Sequence, residues 1–420
     1  MPRHRFNFLY SRVQKDFSAV PKNVKAMILG LSVYIVAWAI IDPFFSIYLY
    51  SVLKSYSLAG LFYGLFFLTG TLFAVPFGDL AGRASKVKLT AILLLSYPLI
   101  GLLYFSVYLF QYPFSLIVLF LALLAHGTAA SLWIAAEGFI RENSPKGETG
   151  ACFGLYITFQ RLAYVIAPVF IIALVSFGFS MANVNFLFLS LVPFSVLGAA
   201  IILRIKSAGS PIVQGIREVI EKDNLIKREF NDLRQLGFMG YFSLLIGFFV
   251  QSINSVIFFL VPLYALSLGL DLFGVSLLFA ALSVPFLFSF FLAELADSFG
   301  KMNAVVLGFI LSAVALASIA EISVASPLFF FAVFILGLIL AFLQPAANGL
   351  VTDITPRIQD GEMTGLFIAV LRISGFLTSL SLGLLSDSFG LRLPFIVFAL
   401  LLAAMSASSF LARKRIVVRI

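Results

Sequence analysis

The sequence predicts an all-α integral membrane protein of twelve transmembrane helices, arranged as two six-helix bundles related by a pseudo-twofold axis. Three observations carry that expectation. Hydrophobic residues make up 61% of the 420-residue chain and charged residues only 11%. A soluble domain of this length cannot cover its surface with so little polar material. Apolar runs of about 20 residues, enough to cross ~30 Å of hydrocarbon, recur along the chain. Finally, residues 135–161 (AAEGFIRENSPKGETGACFGLYITFQR) align without a gap on 346–372 (AANGLVTDITPRIQDGEMTGLFIAVLR), half a chain away. Nine of the 27 positions are identical, among them Pro145/Pro356, Gly150/Gly361 and Arg161/Arg372, so the chain reads as two copies of one unit.

In order, the spans are expected at 26–50, 57–79, 88–110, 114–140, 150–176 and 184–204 in the first half. The second half supplies 235–260, 272–293, 303–324, 328–352, 363–385 and 393–412. A basic segment, 1–25, precedes the first bundle (26–204), with no cleavable signal pattern in it. The bundles are joined by 205–234, whose charges alternate at helical spacing and suggest an amphipathic helix. The second bundle (235–412) ends in a basic tail, 413–420.

Charge sets the expected orientation. Of 28 Lys and Arg residues, 24 fall in the termini, the linker and the even-numbered loops; Lys54 and Arg392 alone fall in odd-numbered loops. By the positive-inside rule both termini and the linker are cytoplasmic, in a multi-pass protein of the plasma membrane. The net charge of +9 is then a topology signal directed at the lipid bilayer, not a nucleic-acid footprint. Two histidines and one cysteine make a structural metal site improbable and leave no intrachain disulfide. There is no Gly-rich phosphate loop with a Lys and no Ser/His/Asp set, so neither an enzyme nor a bound cofactor is expected.

The loop after span two, GDLAGRASKVKL (78–89), aligns with AELADSFGKMN (293–303) after span eight. With the six-plus-six spans and the polar linker, these loops make the chain resemble the major facilitator superfamily, whose signature there is G-x-L-x-D-R-x-G-R/K. Glu294, Asp297, Gly300 and Lys301 lie on the second copy of that pattern. In the first copy Gly78, Arg83 and Lys86 fit, but Gly82 stands where the acid belongs and Ser85 where the second Gly belongs, with Asp79 as a substitute acid. The resemblance implies transport by alternating access, with these loops latching one state. Two further motifs of the family's exporters and antiporters are missing: Leu123 precedes Gly127 where an Arg is usual, and Ala167-Pro168-Val169-Phe170-Ile171-Ile172 replaces G-P-x-x-G-G.

Ionisable groups inside hydrocarbon cost at least a few kcal/mol, so they usually face a cavity or a partner. Asp42, some 16 residues into span one and followed by Pro43, is a candidate proton or cation site; local capping near the surface is the alternative. Arg161 and Arg372 each lie about eleven residues past the Gly that opens their span. Either they face a central cavity across the axis, or they lock helices, as Arg161–Glu137 and Arg372–Asp353 pairs would. His126 could titrate or simply pack. Gln160, Gln251, Asn254, Gln344 and Asn348 could bind substrate or neighbouring helices, and Trp38, Tyr34, Tyr164 and Trp133 could wall a cavity.

Together these features lead to a monomeric secondary active transporter of a small organic molecule, proton-coupled through Asp42, with export slightly favoured. An uncoupled facilitator or an importer of an anionic metabolite is the nearest alternative; a receptor or scaffold without flux is the alternative of another class.

Overall fold

Up to twelve membrane-crossing segments account for nearly all of the described residues. The computed structural model describes residues 20–145, 149–206, 212–213, 237–324, 326–354 and 360–417. Most of the expected basic segment, the linker helix and the end of the tail therefore lie outside the described residues. Among those described, eleven helices are long and apolar enough to span a membrane, and a pair bent by 64° supplies the twelfth.

The first half comprises α1 (Lys22–Leu53), α2 (Tyr56–Arg83), α3 (Lys86–Ser106), α4 (Phe114–Asn143), α5 (Thr149–Ser176) and α6 (Met181–Ile202). Serines start two of these: the Ser55 hydroxyl accepts from the Leu58 N–H at 3.2 Å, and the Ser85 hydroxyl accepts from the Lys88 N–H at 3.3 Å. Each satisfies a main-chain donor that a helix start leaves without a partner. The unexpected feature is in α4, which is interrupted between Ala129 and Leu132.

In the second half, α7 runs Phe238–Ser255, passes through a π-helical turn at Val256–Leu260 and continues over Val261–Ser267. It therefore extends past the expected end at 260. Then α8 (Leu272–Ser283) breaks into a 3₁₀ turn at Val284–Phe288, where Pro285 lacks an amide donor, and resumes as Ser289–Phe299. The remaining helices are α9 (Lys301–Glu321), α10 (Pro327–Ile354), α11 (Asp360–Phe389) and α12 (Arg392–Val417).

We call the end of the molecule where α1 begins and α12 ends the basic face, and the opposite end the far face. The halves meet most closely along α2 and α11, with α5 packed on the first segment of α8 and α1 on the last part of α7. Small residues at four-residue spacing let the α2 and α11 backbones touch: Gly60 and Gly64 on one side, Gly375, Ser379 and Gly383 on the other. A Cβ on Gly64 would lie 2.7 Å from the Phe376 ring, and one on Gly375 would lie 2.7 Å from the Phe67 ring. This seam covers the far-face half of α2. Toward the basic face, Cβ atoms on Gly78 and Gly82 would meet nothing within 4 Å, so this part of α2 is not packed on the seam through its glycines. Among the described residues the halves are held together at the far face by this seam.

Candidate functional site

A cavity of about 410 Å³ lies against the inner face of the first half, within the roughly 300–1,000 Å³ range of small-molecule sites. Among the described residues eighteen line it, and Phe258 of α7 is the one from the second half. The π-helical turn of α7 carries that side chain to the site, a local widening often found where a helix serves a ligand.

Asp42 of α1 reaches the cavity just before Pro43, and its carboxylate accepts a hydrogen bond from the Tyr164 hydroxyl of α5. Arg161, one turn earlier on α5, is within electrostatic reach of Asp42. Its guanidinium lies 4.0 Å from the centre of the Phe286 ring in the α8 break and 6.0 Å from that of Tyr164. Planar contact of this kind stabilises a desolvated cation without using up its N–H donors. Among the described residues Arg161 makes neither a hydrogen bond nor an ion pair, so a pairing with Glu137 is not formed. Tyr34, two turns earlier on the same helix, and Tyr63 of α2 and Tyr97 of α3 also act on Asp42.

Glu137 sits on the second segment of α4, closer to the basic face. It shares the cavity wall with Tyr156, Gln160 and Trp133. Its carboxylate has no hydrogen-bond or ion-pair partner among the described residues, although Arg141 and Arg372 act on it from a distance. The Tyr156 hydroxyl, on a residue only 3% exposed, has Gln160 beside it but no hydrogen bond of good geometry.

Between the two acids lies an aromatic wall. The Trp38 indole N–H donates to the Tyr34 hydroxyl, and the Tyr34 ring centre is 4.7 Å from Tyr97 and 6.0 Å from Trp133. His126 is built into this wall. Its ring stacks on Trp38 at 4.4 Å, and Nδ1 is 3.1 Å from the Tyr104 hydroxyl.

Arg372, expected across the axis from Arg161, is placed differently. It leaves α11 and crosses into the first half, where Nη1 donates to the Gly70 carbonyl and Nη2 to the Ala130 carbonyl at 3.4 Å. At the interruption of α4 the Ala130 carbonyl accepts a long bond of 3.4 Å from the Trp133 N–H in place of a regular helical one, and its second lone pair is open to Arg372. The Asp353 side chain lies outside the described residues. Gln344 donates to Asn254 at 3.0 Å and so ties α10 to α7; Gln251 is half-buried on α7, Asn348 is exposed, and neither lines the cavity.

The loop residues are distributed along the basic face. Asp79 pairs with Arg83 of its own helix at 2.9 Å, and Lys86 bridges from α3 to Glu142 of α4 at 2.8 Å. Lys86 lies over Gly138, just as Lys301 lies over Gly349 in the second half, so the repeat is kept at the level of a side chain seated on a glycine. Gly300 forms the bend between α8 and α9 with φ at +90°, a value side chains rarely adopt; Glu294 and Asp297 are exposed on the segment before it.

Sequence reasoning did not single out Tyr63, Tyr97, Tyr156 or Phe258. The tyrosines carried a usable signal, since a mid-span hydroxyl needs a partner or a cavity. Phe258 is one of 49 phenylalanines and carried none.

The Major Facilitator Superfamily model matches residues 27–292 and 273–417. A staphylopine export protein of Staphylococcus aureus is 23% identical over 363 residues, covering 84% of this chain and 87% of that protein. Among solved structures, a POT family transporter in complex with 5-aminolevulinic acid superimposes with a TM-score of 0.71 at 13% identity, covering 94% of this chain and 97% of its own. A bacterial homologue of the human lysosomal transporter Spinster, inward-facing and unoccupied, gives 0.69 at 17% identity, with 93% and 96% covered. At these identities the structural likeness is one of fold.

Proposed function

The chain belongs to the Major Facilitator Superfamily, and from that premise we propose that it is a proton-coupled exporter of a small organic molecule, working by alternating access. The observation that carries the reading is the half-buried Asp42 carboxylate, held by Tyr164 beside Arg161 in the cavity on the inner face of the first half. A carboxylate in that position can take up a proton on one side of the membrane and release it on the other, with Arg161 favouring release. The positive-inside rule makes the basic face cytoplasmic, so the cavity is filled from the cytoplasm in this state. The staphylopine export protein supports the outward direction by its name.

In liposomes with a trapped pH dye, addition of a transported solute evokes proton movement in the native protein. Asp42→Asn abolishes that movement and retains solute exchange down its own gradient. Proton movement of equal size in the variant would show that Asp42 is not the coupling group.

A further inference from the structure

The charged groups of the cavity define a substrate class. We infer that the cavity binds a small zwitterion, with its cationic group at Glu137 and its anionic group at Arg161. The inference rests on the reading of this cavity as the transport site.

Three formal charges line the cavity, and their partners differ. Asp42 already accepts the Tyr164 hydroxyl. Glu137 and Arg161 line the cavity with no hydrogen-bond or ion-pair partner among the described residues. An unpaired charge in a half-buried cavity is unfavourable, and a ligand of opposite charge offsets that cost. The spacing fits one solute. Glu137 is within electrostatic reach of Tyr156; Arg161 is five residues further along α5 than Tyr156, about 7.5 Å at the rise of an α-helix. That separates the two ends of an amino-acid-like or short peptide-like molecule, not two molecules.

Other classes fit less well. A lone cation satisfies Glu137 but meets Arg161 with like charge, and a lone anion meets Glu137 and Asp42. A neutral apolar compound finds the aromatic wall but leaves both charges unmatched. A zwitterion adds no net charge, so occupancy leaves Asp42 free to gain or lose its proton. The apolar body of the solute then rests on Trp133, Tyr34 and Trp38.

The chain holds two tryptophans, and both line this cavity, so intrinsic fluorescence reads occupancy directly. The full chain in detergent is titrated with matched quartets built on leucine, phenylalanine and an alanyl-phenylalanine dipeptide. Each quartet contains the zwitterion, its methyl ester (cation), its N-acetyl form (anion) and its N-acetyl amide (neutral). For at least one body the zwitterion binds more tightly than its three analogues by at least about tenfold, the worth of one charge-assisted hydrogen bond. Glu137→Gln then levels zwitterion and anion, and Arg161→Gln levels zwitterion and cation. An analogue binding as tightly as its zwitterion in every quartet that binds, or no binding in any quartet, overturns the assignment. The wild-type titrations decide this even if a variant fails to fold. The assay uses no gradient, so tight zwitterion binding without flux would defeat the transport reading alone, whereas flux of a bare cation would defeat only the substrate class.

Discussion

Asp387 at the far end of α11 caps the start of α2 in the other half of the molecule, its Oδ2 accepting the Ser57 main-chain N–H at 2.7 Å. The same carboxylate accepts the Tyr56 N–H at 3.0 Å and the Ser55 hydroxyl at 2.7 Å. A helix start offers unpaired N–H groups and a partial positive charge, so a carboxylate there is held by both. This cap exists only while the α2–α11 seam is closed. Replacing Asp387 with Ala should therefore weaken the far-closed state by about 1–2 kcal/mol, a factor of roughly 5–30 in population. Spin labels at the exposed Leu58 and Leu384 read the change as a new, longer distance.

The seam itself gives a sharper prediction. At Gly60 and Gly383 an added Cβ would collide with main-chain atoms of the opposite helix, which cannot rotate away as a side chain would. Gly60→Leu should hold the far face open, whereas Gly78→Leu, at a position with free space around it, should leave the far-face distance unchanged. The same pair of labels compares the two.

Arg372 carries a different load from Arg161. Its two hydrogen bonds to the Gly70 and Ala130 carbonyls join α11 to α2 and to the break in α4. A lysine cannot reproduce a planar fork. Both Arg372→Ala and Arg372→Lys should lower stability by about 1–3 kcal/mol, measured as thermal unfolding in detergent. Arg161→Gln, which loses no hydrogen bond to a described residue, should cost less stability and instead change ligand preference.

His126→Phe tests whether the histidine is more than part of the wall. The stack on Trp38 survives, and only the bond to Tyr104 is lost. That change should cost about 1 kcal/mol and leave solute-evoked proton movement intact.

The gross architecture was readable because hydrocarbon thickness fixes the length of apolar runs, and because Gly, Pro and Arg recur at matching places in the two halves. Asp42, Glu137 and Arg161 were readable for a related reason: charge inside a span needs a use. What could not be read was direction around each helix axis. Arg161 and Arg372 hold equivalent sequence positions, yet one faces a cavity and the other crosses the seam. The difference comes from the α4 break at Ala130, which no proline or glycine at that position announces. The small-residue spacing of Gly60, Gly64, Gly375, Ser379 and Gly383 was present in the sequence, but the partner of each stripe is a tertiary fact.

On the proposed mechanism a proton on Asp42 should shift the balance between far-closed and far-open states. Its most direct test needs no substrate: the Leu58–Leu384 label distance, measured by electron–electron spin resonance across acidic to neutral pH. The native protein should redistribute between two distances as pH changes, while Asp42→Asn should keep one distribution throughout. An Asp42→Asn protein that still follows pH as the native one does would contradict the account.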